Sequence, residues 1–134
     1  MSFALSLPAS LLLAGEYIIL IEGGLGLAAA PDIRLYASST PAKSGRLTVL
    51  GLFGRERIEW SGRSGPPGLV PTIIAFVQKK YLRQDLPPLS ITLDSRPFYD
   101  SEGRKLGFGS SAAAGTALIA LLTAEITGSL PPEE

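Results

Sequence analysis

Apolar and polar residues alternate in several short runs over the first two thirds of the chain, a pattern typical of half-buried β-strands. The clearest alternating runs are Ile33 to Ala37, Ile58 to Trp60 and Leu89 to Leu93. A further strand is predicted over residues 47–52. Two more continuous apolar runs, LLLAG at 11–15 and YIILIEG at 17–23, predict strands that are more deeply buried.

Two later segments have the period of an α-helix instead. The first follows a Gly- and Pro-rich loop, and Pro71 suits its first turn. Its apolar residues recur every three or four positions, at Val70, Ile73, Ile74, Val77 and Tyr81. The second helix is predicted from about Ser111 to Thr127, ending at Gly128 with Pro131 and Pro132 beyond.

The second helix is aliphatic on most of its surface. Its thin polar stripe consists of Thr116, Thr123 and Thr127. Glu125 lies on the opposite side, and we expect its carboxylate to reach solvent near the helix end because buried carboxylates are rare. The remaining aliphatic surface predicts that other elements cover this helix on several sides. Strands that form a sheet with two such helices predict an α+β fold.

The composition fits one domain over residues 1–134, since 46% of the residues are hydrophobic and only 18% are charged. Twelve Lys and Arg residues balance 12 Asp and Glu residues, so no net charge attracts nucleic acid or an acidic membrane. Any anion site must therefore be local. The sequence has no Cys and no His, which excludes disulfides, thiolate metal sites and Ser-His-Asp triads. The lack of Cys is compatible with a cytoplasmic location.

The apolar stretch from Ala112 to Leu122 is shorter than the roughly 20 residues that cross a bilayer. We therefore expect a buried helix of a folded domain at this position. No contact with a membrane or with nucleic acid is predicted from the sequence.

Glycines and serines directly precede the second helix in the segment GRKLGFGSSAAAG, residues 103–115. A helix N-terminus presents unpaired N–H groups and a partial positive charge, so it favours anions. Gly107 and Gly109 allow the backbone to approach phosphate oxygens closely. The side chains available to such an anion are those of Arg104, Lys105, Ser110 and Ser111. This combination predicts a phosphate site.

The same glycines and serines would also suit a loop that binds no ligand. A Gly-rich loop before an ordinary capped core helix accounts for the pattern about equally well. A dinucleotide-binding loop would follow a strand directly and would have an acidic residue about 20 positions later, and YDSEGRK precedes the loop here. A Walker A loop contains a Gly-Lys step, and this sequence has none.

The segment KLGFGSSAAAG resembles the G-L-G-S-S-A-A phosphate loop of the GHMP kinases, with Phe108 where that family usually has Leu. The segment LPASLLLAGEYIILIEGGLGLAAA is similar to the first motif of that family, in which P-G-K precedes an apolar strand and G-E-Y or G-E-H. The two motifs occur in the family's order. GEY and EGRKLG resemble the phosphomevalonate kinase branch most closely.

The resemblance implies a fold like ribosomal protein S5 domain 2, with a mixed sheet and two main helices, as the ATP-binding half of a kinase. It implies transfer of the γ-phosphoryl group of ATP to a small metabolite. The residues implied to hold ATP are Lys105, Gly107, Phe108, Gly109, Ser110, Ser111 and Ala112. Ser111 would also face Mg²⁺. Substrate contacts are implied for Ser10, Glu16 and Tyr17, although Glu16 and Tyr17 would fit equally well as residues that only shape a strand connection.

Two departures from the family pattern affect this expectation. Pro8-Ala9-Ser10 replaces P-G-K, so the family's cation is missing at position 10. The sequence also ends soon after the second motif, whereas these kinases continue through a second half. We therefore expect a half enzyme that is inactive alone and that associates with itself or with a C-terminal half. A non-catalytic module of the same fold, binding a nucleotide or a partner, is the alternative.

Overall fold

The computed structural model describes residues 2–83 and 85–130, so Pro131 and Pro132 lie outside the described residues. In this range the strands are β1 (Phe3–Pro8), β2 (Leu11–Ala14), β3 (Leu27–Ala29), β4 (Arg34–Pro41), β5 (Thr48–Phe53), β6 (Glu56–Ser61) and β7 (Leu89–Asp94). The helices are α1 (Leu69–Lys80) and α2 (Ser110–Thr127). Single 3₁₀ turns lie at Ile18–Leu20 and Arg96–Phe98.

Five strands form one mixed sheet in the order β1-β4-β7-β5-β6. The pairs β1–β4, β4–β7 and β5–β6 are antiparallel, and β5 and β7 are parallel. β6 and α1 make the crossover that two parallel neighbours require. The predicted α+β fold with a mixed sheet and two main helices is confirmed.

The core lies where α2 packs against α1 and against β1, β4 and β7. Leu118, Leu121 and Leu122 of α2 are fully buried, as are Leu35 and Ile91 of the sheet. Each such side chain contributes about 1.5–3 kcal/mol through burial of apolar surface. The predicted covering of α2 on several sides is confirmed by these contacts.

Helix α1 begins two residues before Pro71, which therefore lies in the first turn as predicted. Its apolar positions Val70, Ile73, Ile74 and Val77 are buried. Tyr81 falls just beyond the helix end, where its N–H donates to the Val77 carbonyl oxygen and its side chain packs partly buried against the core.

Helix α2 ends as predicted, at Thr127 followed by Gly128 in the left-handed conformation. The expectation that the apolar stretch here is too short for a membrane needs correction, because the helix has 18 residues and a mean hydropathy of 1.3. Among the described residues, α2 is long enough and apolar enough to cross a bilayer. Half of it is buried inside this domain, as in the core helix of a folded protein.

We expected the Glu125 carboxylate to reach solvent, but it forms a hydrogen bond inside the domain. Its Oε1 accepts a hydrogen bond of 3.0 Å from the hydroxyl of Ser39, which is fully buried on β4. The bond satisfies a hydroxyl that would otherwise be buried without a partner. This contact joins α2 to the centre of the sheet.

The first apolar segment differs from its prediction. LLLAG does form β2, but β2 pairs with β3 in a separate two-stranded sheet and is exposed rather than deeply buried. The strand predicted over 17–23 is wrong, because a 3₁₀ turn and irregular backbone occupy this segment. Two consecutive turns follow in this segment. The Ile21 N–H donates to the Ile18 carbonyl oxygen, and the Gly24 N–H donates to the Ile21 carbonyl oxygen. A Cβ at Gly24 would collide with the Ile18 carbonyl, so the turn depends on glycine there.

Candidate functional site

The chain enters α2 through a glycine loop whose backbone donors are free. Gly107 and Gly109 have φ values of +79° and +80°, a region that side chains other than glycine rarely adopt. No side chain caps the helix. Among the described residues, the N–H groups from Gly107 to Ala112 have no acceptor, and the first bond is from Ala113 to the Gly109 oxygen at 3.1 Å. Such a run of unpaired donors at a helix N-terminus stabilises an anion.

Ser10 of the first motif lies against this loop. Its N–H donates to the Phe108 carbonyl oxygen at 3.0 Å, and its preceding neighbour Ala9 is buried and bonded to the Ile33 oxygen at 2.7 Å. A Cβ at Gly109 would lie only 2.9 Å from the Ser10 hydroxyl oxygen. The two sequence motifs therefore meet in space, with the Ser10 hydroxyl beside Gly109.

A cavity of about 250 Å³ opens beside the start of α2. It is lined by Phe53, Glu56, Ile58, Trp60, Leu69, Val70, Leu93, Tyr99, Lys105, Ser110, Ser111, Ala114 and Leu118. Phe53 and Trp60 meet edge to face with ring centroids 6.3 Å apart, and the Trp60 Nε1–H is satisfied by the Pro66 carbonyl at 2.9 Å. A largely apolar cleft with a few polar groups at one side is the usual form of a small-molecule site.

Ser110 and Ser111 line this cavity. Within the part of the chain that the structure describes, neither hydroxyl has a hydrogen-bond partner, so both are available to a ligand. The described residues contain no group of three or more acidic side chains that would hold a metal ion. The oxygen-bearing side chains that line the cavity and could contribute to a magnesium site include those of Ser110, Ser111 and Glu56.

The two cations before the loop have different surroundings. Arg104 is paired with Asp100 and with Glu102, each at 2.9 Å. Lys105 lines the cavity and forms no ion pair among the described residues. Lys105 is therefore the cation that is free to meet a bound anion.

Asp100 organises the turn that these cations belong to. Its carboxylate accepts hydrogen bonds from the N–H groups of Glu102 and Arg104, each at 2.9 Å, and from the Arg104 side chain. The hydrogen bond from the Arg104 N–H is the main cause that lowers the pKa of Asp100 below its ordinary value. The charged carboxylate therefore holds the turn at neutral pH.

Glu16 and Tyr17 lie in the exposed chain after β2, and Tyr17 is 78% exposed. No described hydrogen bond joins them to the glycine loop. Their proposed contact with substrate stays a prediction. Gly15 beside them has a φ of +87°, and a Cβ there would collide with the Leu25 carbonyl, so this glycine shapes the connection.

Residues 11–29, named here the apolar hairpin, expose many large hydrophobic side chains. They are Leu12, Leu13, Tyr17, Ile18, Ile19, Leu20, Ile21, Leu25 and Leu27. Glu16 and Glu22 are the charged residues of this segment, and both are acidic. Exposed apolar surfaces of this kind occur at protein–protein and membrane contact sites and at ligand-binding grooves.

The residues that form the cavity walls could not be recognised from the sequence. Phe53, Glu56 and Tyr99 gave no sequence signal for a site, and the alternation around Trp60 indicated only a strand. These residues come together through the pairing of β5 with β6 and through the turn before α2. A local motif carries no information on such long-range contacts.

Similar folds occur in solved structures of kinases. Phosphomevalonate kinase from Streptococcus pneumoniae, in complex with phosphomevalonate and AMPPNP, matches with a TM-score of 0.75 and 24% identity over 98% of this chain and 38% of its own. Mevalonate kinase from Methanococcus jannaschii matches with a TM-score of 0.64 and 13% identity, over 97% of this chain and 48% of its own.

A third match is D-glycero-D-manno-heptose 1-phosphate kinase from Bacteroides thetaiotaomicron. Its TM-score is 0.69 and its identity 17%, over 95% of this chain and 42% of its own. No protein-family model matches the sequence, and neither does any curated protein. At these identities the likeness establishes the fold, which is that of the GHMP kinases in these structures. The chain spans less than half the length of each of them.

Proposed function

We propose that this chain is the ATP-binding half of a GHMP-type kinase, which transfers the γ-phosphoryl group of ATP to a small metabolite. One observation carries the proposal: within the described residues, the N–H groups from Gly107 to Ala112 and the hydroxyls of Ser110 and Ser111 have no partner, and both serines line a cavity at the start of α2. A fold shared with solved GHMP kinases supports it. The Cys-free sequence is compatible with a cytoplasmic enzyme.

In this proposal the phosphates of ATP lie against the N–H groups from Gly107 to Ala112. Phe108 contributes through its backbone, and the Lys105 ammonium adds positive charge. We propose that the nucleoside lies in the apolar part of the cavity, which Trp60 lines. The Ser111 hydroxyl would bind Mg²⁺, which neutralises the charge that develops on the transferred group. Phosphoryl transfer depends chiefly on positioning and on charge stabilisation, and this chain supplies groups for both.

Phosphomevalonate is the acceptor that we propose. Support comes from the GEY and EGRKLG segments and from the Streptococcus pneumoniae neighbour, which is a phosphomevalonate kinase. Ser10 lies beside the glycine loop and is proposed to contact the acceptor, together with Glu16 and Tyr17 of the apolar hairpin. Since Ser10 brings no charge, further cations for a phosphorylated acceptor must come from another part of the enzyme.

We propose that the apolar hairpin packs against the C-terminal half of the kinase fold. The solved neighbours extend well beyond the part that this chain matches. A second copy of the chain would also cover the apolar side chains, but it would bring Glu16 and Glu22 against identical acidic residues. A partner surface with Lys or Arg around its apolar centre fits better.

A non-catalytic module that binds a nucleotide or a partner is the second candidate. The hydroxyl of Ser10 beside the phosphate loop favours it, because the loop lacks the cation of the kinase motif. The apolar hairpin is compatible with both functions. Only turnover of an acceptor distinguishes them.

A coupled ADP-release assay tests the kinase proposal. The chain alone is expected to release no ADP in the presence of mevalonate, phosphomevalonate, homoserine or galactose, since its own contacts do not suffice to hold the acceptor in line with the γ-phosphoryl group. With a C-terminal half supplied, release should depend on the acceptor and be fastest with phosphomevalonate. The same mixture made with Ser111→Ala should lose activity, whereas Ser44→Ala, in an exposed loop, should not. Acceptor-dependent turnover by the chain alone would contradict the half-enzyme proposal.

A further inference from the structure

Two turns meet at one side of the cavity. The first joins β5 to β6 and contains Gly54 and Arg55, and the second comprises residues 100–104, directly before Lys105. The Arg55 Nη2–H donates to the carbonyl oxygen of Ser101 at 2.6 Å. The chain therefore links two distant segments of sequence by one side-chain bond.

Glycines bring these turns into close contact. A Cβ at Gly54 would lie 2.8 Å from the Tyr99 ring, and a Cβ at Gly103 would lie 3.1 Å from the Arg55 Cγ. Both glycines also have positive φ values, +64° and +79°. Any other residue at Gly54 would push away the ring of Tyr99, which directly precedes the second turn, so this close approach depends on glycine.

The second turn connects the Arg55 contact to the backbone of Lys105. Tyr99 and Lys105 face each other as a bridge, with Asp100 N–H bonded to the Arg104 oxygen and Leu106 N–H bonded to the Phe98 oxygen, each at 2.9 Å. The Asp100 carboxylate closes the turn from inside. The bond from Arg55 to Ser101 restrains this turn, and so it also restrains the backbone of Lys105, which lines the cavity.

We propose that Arg55 is a positioning residue that holds Lys105 where its ammonium group meets the phosphates of a bound nucleotide. Arg55 does not line the cavity, so it acts through the turn and not by touching the ligand. A lysine carries a compact charge on a flexible side chain. The distance between this charge and a bound phosphate therefore depends on the position of the lysine backbone. The part of this inference that concerns phosphate rests on the proposed function.

Calorimetric titration with Mg-ATP tests the inference in a double-mutant cycle. Arg55→Ala and Lys105→Ala should each weaken binding about tenfold, the effect of losing one charge-assisted contact. The double variant should bind no more weakly than Lys105→Ala alone, because Arg55 acts through Lys105. Arg55→Lys, which retains a donor for the Ser101 oxygen, should bind within about threefold of wild type. Adenosine, which lacks phosphates, should bind all variants equally.

Arg57→Ala is the matched control, since Arg57 is exposed and pairs with Glu59 of its own strand. Equal Mg-ATP affinities of wild type and Arg55→Ala would overturn the inference and leave the proposed function intact, and so would additive losses in the double variant. A wild-type chain that binds no Mg-ATP would overturn both. In the ligand-free protein, Arg55→Ala should shift the amide signals of residues 99–106, and unchanged signals would refute the positioning role without any nucleotide.

Discussion

At the residue scale, a few positions decide what the glycine loop can bind. The loop supplies free N–H donors and two hydroxyls, but its first-motif neighbour is Ser10 instead of a lysine. Gly109 is held against the Ser10 hydroxyl, so a side chain placed at position 10 starts next to the loop. The charge beside the loop therefore depends on positions 10 and 105, and Glu56 adds a negative charge to the lining of the cavity.

Ser10→Lys should strengthen Mg-ATP binding severalfold, because it places a cation beside the unpaired donors of the loop. The matched control is Ser44→Lys, which adds the same charge in an exposed loop away from the cavity. The dissociation constants are measured at one ionic strength. Equal gains for the two variants would show that net charge, and not position 10, causes the effect.

Asp100 should titrate below its ordinary pKa of 3.8, because hydrogen bonds from the Arg104 N–H and side chain stabilise its charged form. A group with a lowered pKa in the folded state stabilises that state above its unfolded pKa, and the stabilisation is lost as the pH falls through the folded value. The amide signals of Glu102 and Arg104 should therefore move at a midpoint below pH 3.8. Asp100→Asn should abolish this transition, and a wild-type midpoint at or above 3.8 would contradict the assignment.

At the element scale, the periodic parts of the sequence predicted their structures well. The C-terminal end of α2 follows from Gly128, and β4 and β7 follow from alternation of apolar and polar residues. The apolar hairpin was mispredicted because hydrophobicity alone does not distinguish a buried strand from an exposed one. Its glycines, which allow turns that no other residue fits, determined the outcome.

Stability should reflect this difference between α2 and the apolar hairpin. Leu118→Ala removes a fully buried side chain and should lower the free energy of unfolding by about 2–5 kcal/mol. Leu25→Ala, at a position that is 85% exposed, should change it by no more than about 0.5 kcal/mol. Urea denaturation measures both values. A comparable loss for Leu25→Ala would show that the hairpin is packed against the domain.

At the scale of the whole molecule, one folded core carries an exposed apolar surface. The hydrophobic periodicity predicted the α+β fold, because it is a local pattern. The motifs predicted a glycine loop at the start of α2, and phosphate binding by that loop stays a prediction. The cavity and the Arg55 contact could not be predicted, because they arise from turns that are distant in sequence. The exposure of the apolar hairpin could not be predicted either, because its apolar sequence is also typical of a buried strand.

Without a partner, the isolated chain should self-associate weakly through the apolar hairpin. Added salt should strengthen the association, because it screens the repulsion between the acidic residues Glu16 and Glu22 of two copies. Replacing Leu20 and Leu25 by Gln should abolish it without changing thermal stability, since both side chains are more than 80% exposed. Light scattering at two salt concentrations measures this. A monomer at every salt concentration would contradict the expectation.

The central claim, that the start of α2 binds nucleotide phosphates, is tested most directly by amide chemical shifts during titration with Mg-ATP. The N–H groups of residues 107–112 should move first and furthest, with Lys105 close behind, because these donors have no partner in the described chain. Adenosine at the same concentration should perturb the cavity wall near Trp60 and leave the loop amides almost unchanged. Loop amides that do not move at millimolar Mg-ATP would contradict the account.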